Sequence, residues 1–355
     1  MARGTGHQSV AASPGVSPAV PQRAPLVSVV IPCLNAAGFV RDAIDSVLLQ
    51  ECDGVQIIVV NDGSPDAPEL RRVIAPYGER VELIDRPHSG LSSTRNAGIA
   101  AARGEFLAFL DADDKWKPGF LDAQLALLRR CNADLVYADA ELFGERVAPG
   151  TRFMDHFPSS GEVTAAALLL KRCVVVMSTV VARTSAVRAS GGFDATLSHC
   201  EDLDLWIRML LAGASLAYVR DALVLRRIHA SNMSNNGNAM VEGVLRIIDR
   251  YAAVAGLAEQ ERRVLRLREH RLKARCHENL ARVAIAAGEP SAARVEFWNA
   301  FRKQKSAGRL AATLAFTLLP SLALVLARHW WRSRLRRDAA GSLAPGSEPA
   351  QEPEV

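Results

Sequence analysis

Three apolar, β-branch-rich runs each stop abruptly at a cluster of acids or amides, and nothing else in this sequence limits the fold as strongly. LVSVVIP (Leu26–Pro32) runs into Cys33-Leu34-Asn35, Val55–Val60 stops at Asn61-Asp62-Gly63-Ser64, and Glu105–Leu110 stops at Asp111-Ala112-Asp113-Asp114. Continuous apolar runs of this length suit strands covered on both faces, as in a parallel sheet. Helical patterns lie between them at Gly38–Gln50, 66–77 and Leu91–Ala102, with a short strand at Val81–Ile84. The β-α-β-α-β-α-β order predicts an α/β sheet with right-handed crossovers. Ligands of such sheets sit beyond the carboxyl ends of the strands, where the polar clusters fall.

After residue 115 the alternation weakens. The patterns predict a helix at Gly119–Arg130, strands at Leu135–Ala140 and Val174–Val181, an amphipathic helix at Glu201–Leu211 and a strand at Ala217–Arg226. From 239 to 308 the chain reads as a helical extension, with a turn at Gly288-Glu289-Pro290 that suggests a hairpin. The 355 residues suffice for one large domain, expected at 26–235, plus this appendage. Residues 1–25 read as a disordered leader without a signal-peptide core, and 338–355 as a disordered tail. The six cysteines, at 33, 52, 131, 173, 200 and 276, form no CxxC pair, so inert thiols in a reducing, cytoplasmic compartment are expected.

The net charge of +5 does not by itself point to nucleic acid, and no nucleic-acid partner is predicted. Basic residues concentrate at 261–274 and 328–337, which suits an anionic membrane surface or an acidic partner. Residues 310–327 carry no charge. As one helix they would span about 27 Å, just short of the roughly 30 Å hydrocarbon core. Lys and Arg flank the run on both sides, with Trp330 and Trp331 beyond it. A simple span places its positive charge on one side, so 309–337 is expected to associate with the inner leaflet as an in-plane or re-entrant segment, with a buried core helix as the alternative.

Asp111, Asp113 and Asp114 at a strand end repel one another and need a cationic partner. A hard divalent ion, Mg²⁺ or Mn²⁺, with bound diphosphate oxygens supplies one. A solvated turn of helix-capping aspartates is the plain alternative. Asp62 can accept from a base or a ribose hydroxyl, with Gly63 permitting close approach; a simple Asn-Asp-Gly-Ser turn is its alternative. In Gly90-Leu91-Ser92-Ser93-Thr94-Arg95, the hydroxyls can cap a helix whose N-terminus favours anions, and Arg95 adds a permanent charge suited to phosphate. Trp116 suits either a sugar face or the core.

Taken in order, VSVVIPCLNAAGFVRDAIDSVLLQ, IIVVNDGSPD, LSSTRNAGIAAARGEFLAFLDADDKWKPGFL and MSTVVARTSAVRASGGFDATLSHCEDLDLWIRML resemble a family 2 inverting glycosyltransferase. The resemblance covers roughly residues 26–232. It implies the GT-A fold, a nucleotide-diphospho-sugar transferase-like mixed sheet flanked by helices. It implies a nucleotide-sugar donor, typically a UDP-sugar; the uncharged 310–327 run between basic flanks adds the expectation of an acceptor hydroxyl on a cell-envelope glycan or lipid-linked saccharide. Pro32, Asn35, Asp62, Arg95 and Asp111 match nucleotide-side positions. Asp113, Asp111 and His229 match metal-side positions. Leu34 departs from the aromatic residue that many relatives use to stack on the base.

An inverting transfer needs a base opposite the leaving diphosphate. Glu201 and Asp202 begin the helix anchored by Leu205, Trp206, Met209 and Leu210, and the resemblance assigns the base to Asp202, with Glu201 as runner-up. Asp204 and Arg208, at i,i+4, read as a surface pair. His229, in Arg226-Arg227-Ile228-His229-Ala230-Ser231-Asn232, resembles a segment that helps hold metal or diphosphate. Two readings of other classes compete: a sugar nucleotidyltransferase, which should carry a basic Gly-rich loop that IPCLNAAG lacks, and a catalytically inert scaffold. A dinucleotide-binding dehydrogenase is excluded, since no GxGxxG follows the first strand.

Overall fold

A computed structural model describes residues 24–329 except 146, 231, 234–236 and 328. The leader up to 23, Trp330, Trp331 and the segment 332–355 lie outside the described residues. Four parallel strands open the chain: β1 (Val27–Cys33), β2 (Val55–Asp62), β3 (Val81–Arg86) and β4 (Phe106–Phe109). Helices α1 (Val40–Leu48), α2 (Ala67–Ile74) and α3 (Leu91–Ala101) connect them. The helix expected over 66–77 stops at Ile74. A 3₁₀ stretch, Ala75–Arg80, takes over where Pro76 removes a backbone donor and Gly78 adopts φ 56°.

The second half runs β5 (Lys115–Trp116), α4 (Phe120–Cys131), β6 (Leu135–Phe143), α5 (Phe153–His156), α6 (Ala165–Leu169), β7 (Val181–Arg183), α7 (Thr184–Ala189), α8 (Glu201–Leu211) and β8 (Leu216–Arg227). Four more helices follow: α9 (Gly237–Tyr251), α10 (Glu259–Ala287), α11 (Pro290–Lys303) and α12 (Ala307–Leu318). The single sheet has the order β3-β2-β1-β4-β7-β6-β8-β5. β7 runs antiparallel to β4 and β6, and β5 antiparallel to β8, so the sheet is mixed.

The strand expected over Val174–Val181 is corrected. Met177–Thr179 form a 3₁₀ turn and only Val181–Arg183 pair as strand. Apolar residues in a buried loop mimic a buried strand; here short-range bonds to the Val176 and Met177 carbonyls satisfy the backbone instead.

Side-chain alternation on β1 splits the core into two layers. Val27, Val29 and Ile31 pack with α1, α2 and α4, while Val30 faces α3 on the other side. The second layer also holds Leu205, Trp206, Ile207 and Met209 of α8, and it continues into Val241, Ile247, Ile248 and Tyr251 of α9. Helices α10 and α11 form the hairpin suggested by Gly288-Glu289-Pro290, and α12 packs on it through Phe316 in a small separate core.

The uncharged run 310–327 is not one helix. Leu319 leaves helical geometry (φ −138°, ψ 62°), and 320–327 is helical again, beginning at Pro320. No helix among the described residues is long and apolar enough to cross a membrane.

Candidate active site at the strand ends

The carboxyl ends of β1, β2 and β4 do meet. Beyond β1, Asn35 takes a left-handed backbone (φ 53°) and its N–H donates to Ser64 Oγ, while Ala37 N donates to Asp66 Oδ2 at 2.9 Å. The loop after β1 is thus tied to the loop after β2. Pro32 is buried within β1, so it shapes this loop and offers no side chain to a ligand. Leu34 and Asn35 are exposed at the rim.

Asp62 is buried and receives Ser89 N at 2.8 Å, Ser89 Oγ at 3.1 Å and Gly90 N at 3.0 Å. Burial pushes its proton affinity up, but hydrogen bonds from Ser89 and Gly90 outweigh burial and hold the carboxyl below the ordinary range. Asp62 therefore anchors the approach to α3. The side-chain caps expected from Ser92, Ser93 and Thr94 are not made: α3 starts at Gly90 (φ 87°), and Thr94 Oγ1 donates back to the Gly90 carbonyl. Gly98 lets α3 lie on β1, since a Cβ there would come within 2.3 Å of Val30 Cγ1.

The acidic turn after β4 is held by residues far along the chain. Asp114 is buried, accepts Ser178 Oγ at 2.6 Å and Arg227 N at 2.8 Å, and is pushed up to about 8 by burial and by the charges of Asp113 and Asp111. Ser178 Oγ also accepts Asp111 N at 3.1 Å. Asp113 Oδ2 meets His229 Nε2 at 2.8 Å and Asn232 Nδ2 at 3.3 Å. Burial and the Asp111 charge raise Asp113, partly offset by His229. Phe39 stacks on the His229 ring at 5.4 Å. Trp116 is core: its ring packs on Phe120 and its Nε1 donates to the Ser178 carbonyl.

Arg95 joins the two halves of the site. Its guanidinium is buried, donates to Asp111 Oδ1 at 2.8 Å and to Glu201 Oε1 at 2.7 Å, and lies 5.5 Å over the Phe193 ring. Among the described residues its Nε has no hydrogen-bond partner. The sequence suggested Arg95 as a charge suited to phosphate; the structure places its guanidinium buried between two acids. Glu201 and Asp202 open α8 immediately after Cys200, a non-glycine residue in the left-handed region (φ 61°). Backbone strain of this kind persists only where its surroundings impose it. Asp202 is pushed up to about 6, by burial first and by the neighbouring Glu201 charge second.

Asp204 requires the largest correction. It is not on the surface but fully buried, and it accepts from Arg208 Nε at 2.7 Å, Arg250 Nη1 at 2.8 Å and Tyr251 Oη at 2.6 Å. Two of those donors come from α9, so the i,i+4 spacing revealed only one partner.

Asp113 and His229 come together, whereas Asp111 is turned towards Arg95. Among the described residues no group of three or more His, Cys, Asp or Glu side chains converges to hold a metal unaided. Ser178, Arg227 and Asn232 escaped sequence reasoning. All three lie inside or beside stretches that carry the resemblance, but without chemistry that singles them out.

The Glycosyl transferase family 2 model matches residues 28–170. An uncharacterized glycosyltransferase of Rickettsia prowazekii is 30% identical over 226 residues, which cover 61% of this chain and 69% of that protein. The chain belongs to glycosyltransferase family 2. Among solved structures, this glycosyltransferase resembles S. aureus TarS residues 1–349 in complex with UDP-GlcNAc. That match has a TM-score of 0.54 and 17% identity and covers 92% of this chain and 98% of that one. The mannosyltransferase PcManGT from Pyrobaculum calidifontis, with GDP-Man and Mn²⁺, matches at TM-score 0.54 and 16% identity, covering 88% and 89%. The fold is the GT-A fold expected from sequence, and the nucleotidyltransferase and inert-scaffold readings give way to a glycosyltransferase.

Proposed function

We propose that this enzyme is a metal-dependent inverting glycosyltransferase. On this reading it transfers a sugar from a nucleotide-diphospho-sugar, a UDP-sugar, to a hydroxyl of a cell-envelope glycan or lipid-linked saccharide at the cytoplasmic face of a membrane. The observation that carries this reading is the Arg95 bridge, because one buried guanidinium ties the donor-side acid Asp111 to Glu201, next to Asp202. The acids assigned to donor and acceptor are thereby held close to one guanidinium, the proximity that a single in-line displacement requires. Asp202 removes the acceptor hydroxyl proton, the acceptor oxygen bonds to the sugar's C1, and the bond from C1 to the diphosphate oxygen breaks on the opposite face. Glu201, held by Arg95, is the weaker candidate for the base and the better one for orienting α8.

The residues present fit a divalent cation. Burial and the Asp111 charge raise the cost of ionising Asp113, and the donor set is carboxylate oxygen and imidazole. Mg²⁺ characteristically takes one or two carboxylates and fills its shell with water and substrate phosphate, so a self-sufficient protein cage is not needed. Asp113, with Asp111 and His229, would hold it, and it would neutralise charge developing on the leaving diphosphate. Asn35, exposed at the rim, would frame the nucleotide on a loop that Pro32 shapes from within β1, with Asp62 and Arg95 holding the surrounding loops in place.

The test is a thermal-shift panel of UDP, GDP and other nucleoside diphosphates, with and without Mn²⁺ or Mg²⁺, on the wild type and on Asp113→Ala. A ligand bound only by the native state stabilises it by about 2.7 kcal/mol at a hundredfold excess over Kd. A metal-dependent shift with one nucleotide, lost in Asp113→Ala, is the expected result. No shift with any nucleotide at millimolar concentration refutes the donor assignment.

A further inference from the structure

The C-terminal helices present an apolar face that no other described residue covers. On α12, Thr313 and Phe316 turn inward, and Ala323 does so in the helical piece beyond Pro320. The opposite side carries Leu310, Leu314, Leu318, Leu319, Leu322, Val325 and Leu326, all exposed, with Leu318 at 72%. Residues 310, 314 and 318 repeat at helical spacing, so the exposure is a stripe and not scattered contacts. An uncovered apolar stripe of this extent on a water-soluble surface marks an interaction site.

Charge decides what covers it. From 297 to 337 the sequence contains no Asp or Glu, while Arg302, Lys303 and Lys305 precede the stripe and Arg328, Arg332, Arg334, Arg336 and Arg337 follow it; Arg309 is already paired with Glu278 at 2.6 Å. Arg302, Lys303 and Lys305 are exposed at the turn from α11 into α12, one turn of helix beyond the exposed Trp298. A second copy of the chain, docked by its own stripe, would bring these positive charges against themselves. A bilayer surface rich in anionic headgroups complements both features: acyl chains take the leucines, and headgroups take the flanking cations.

The helix geometry also fixes the mode. The 12 residues of α12 rise about 18 Å, far less than the roughly 30 Å hydrocarbon core, and the break at Leu319 prevents continuation as one rod. We propose that α12 and the helical piece 320–327 lie flat in the headgroup region of an anionic membrane, leucine side down, and dock the enzyme there. This deepens the membrane location given above. It does not depend on the donor chemistry, which the nucleotide panel tests separately.

The experiment is co-flotation of the full-length protein with vesicles of phosphatidylcholine alone or with 30% phosphatidylglycerol, at low and high salt. The comparison variant is the triple substitution Leu314→Glu, Leu318→Glu and Leu322→Glu, all at exposed positions. A companion variant carries Arg302→Glu, Lys303→Glu and Lys305→Glu. The expected result is flotation with anionic vesicles that weakens at least tenfold in 0.5 M NaCl. It should be lost in the leucine variant and reduced in the charge variant, with unchanged melting temperatures. Three outcomes overturn the proposal: no flotation, equal flotation with neutral vesicles, or a wild-type dimer in size-exclusion chromatography that the leucine variant abolishes. The last would assign the stripe to a second copy.

Discussion

Replacing Asp204 by alanine separates two accounts of the helix that carries the catalytic candidates. As an exposed i,i+4 partner of Arg208 it would contribute about 0.3–0.5 kcal/mol. In the structure it is fully buried and accepts from Arg208, Arg250 and Tyr251 at 2.6–2.8 Å. Removing one member of such a buried charged group leaves the others short of a partner and typically costs about 3–5 kcal/mol. At about 2–4 °C per kcal/mol for domains of this size, Asp204→Ala should lower the melting temperature by roughly 6–20 °C. Differential scanning fluorimetry at pH 7.5 measures this directly. Tyr251→Phe should cost less, and the double variant should be less destabilised than the sum, because both changes act on one carboxylate. A loss below about 2 °C for Asp204→Ala would mean that α9 does not clamp α8.

Three further outcomes can be measured. Because burial and Glu201 raise Asp202 to about 6, a base at this position is protonated in acid. The rate should therefore climb through pH 6 to a plateau, and Asp202→Asn should lose about 10²–10⁴-fold on that plateau, with a smaller difference in acid. Between the ordinary carboxylate range and pH 6 the folded Asp202 binds more protons than the unfolded one, so its contribution to stability falls as pH rises. Asp202→Asn should accordingly melt higher than wild type at pH 8 and show no such gain at pH 4. Gly98→Ala drives a methyl into Val30 and should destabilise by about 1–3 kcal/mol, with partial recovery when Val30→Ala is added, both read by urea melts.

The first half of the fold was legible because its strands are buried on both faces, and such runs as Val55–Val60 advertise themselves without any partner. The strand ends were legible for the same reason, since Asp62 and Asp111 interrupt apolar runs where packing offers no excuse for an acid. What the sequence concealed was pairing at a distance. Arg95 read only as a charge suited to phosphate, because its partner Glu201 lies 106 residues away. Asp204 looked exposed because Arg250 and Tyr251 lie beyond the matching stretches. Val174–Val176 read as strand because the composition of a buried loop carries no label for its backbone. Pro320 was visible, but only the dihedral angles at Leu319 show that the apolar run divides there.

The support of the acidic turn has a consequence for the order in which the protein comes into being. Asp114 is satisfied by the backbone of Arg227, 113 residues later, and β5 has no partner until β8 supplies Val224 and Leu225. A chain emerging from the ribosome at about 5–20 residues per second therefore exposes its three aspartates for several seconds before the segment that tames them exists. During that interval the turn is open and self-repelling. Contacts of such sequence separation also make closure of this edge a slow folding step. The acidic turn thus reaches its folded form only when the last strand arrives, and its order marks the completion of the sheet.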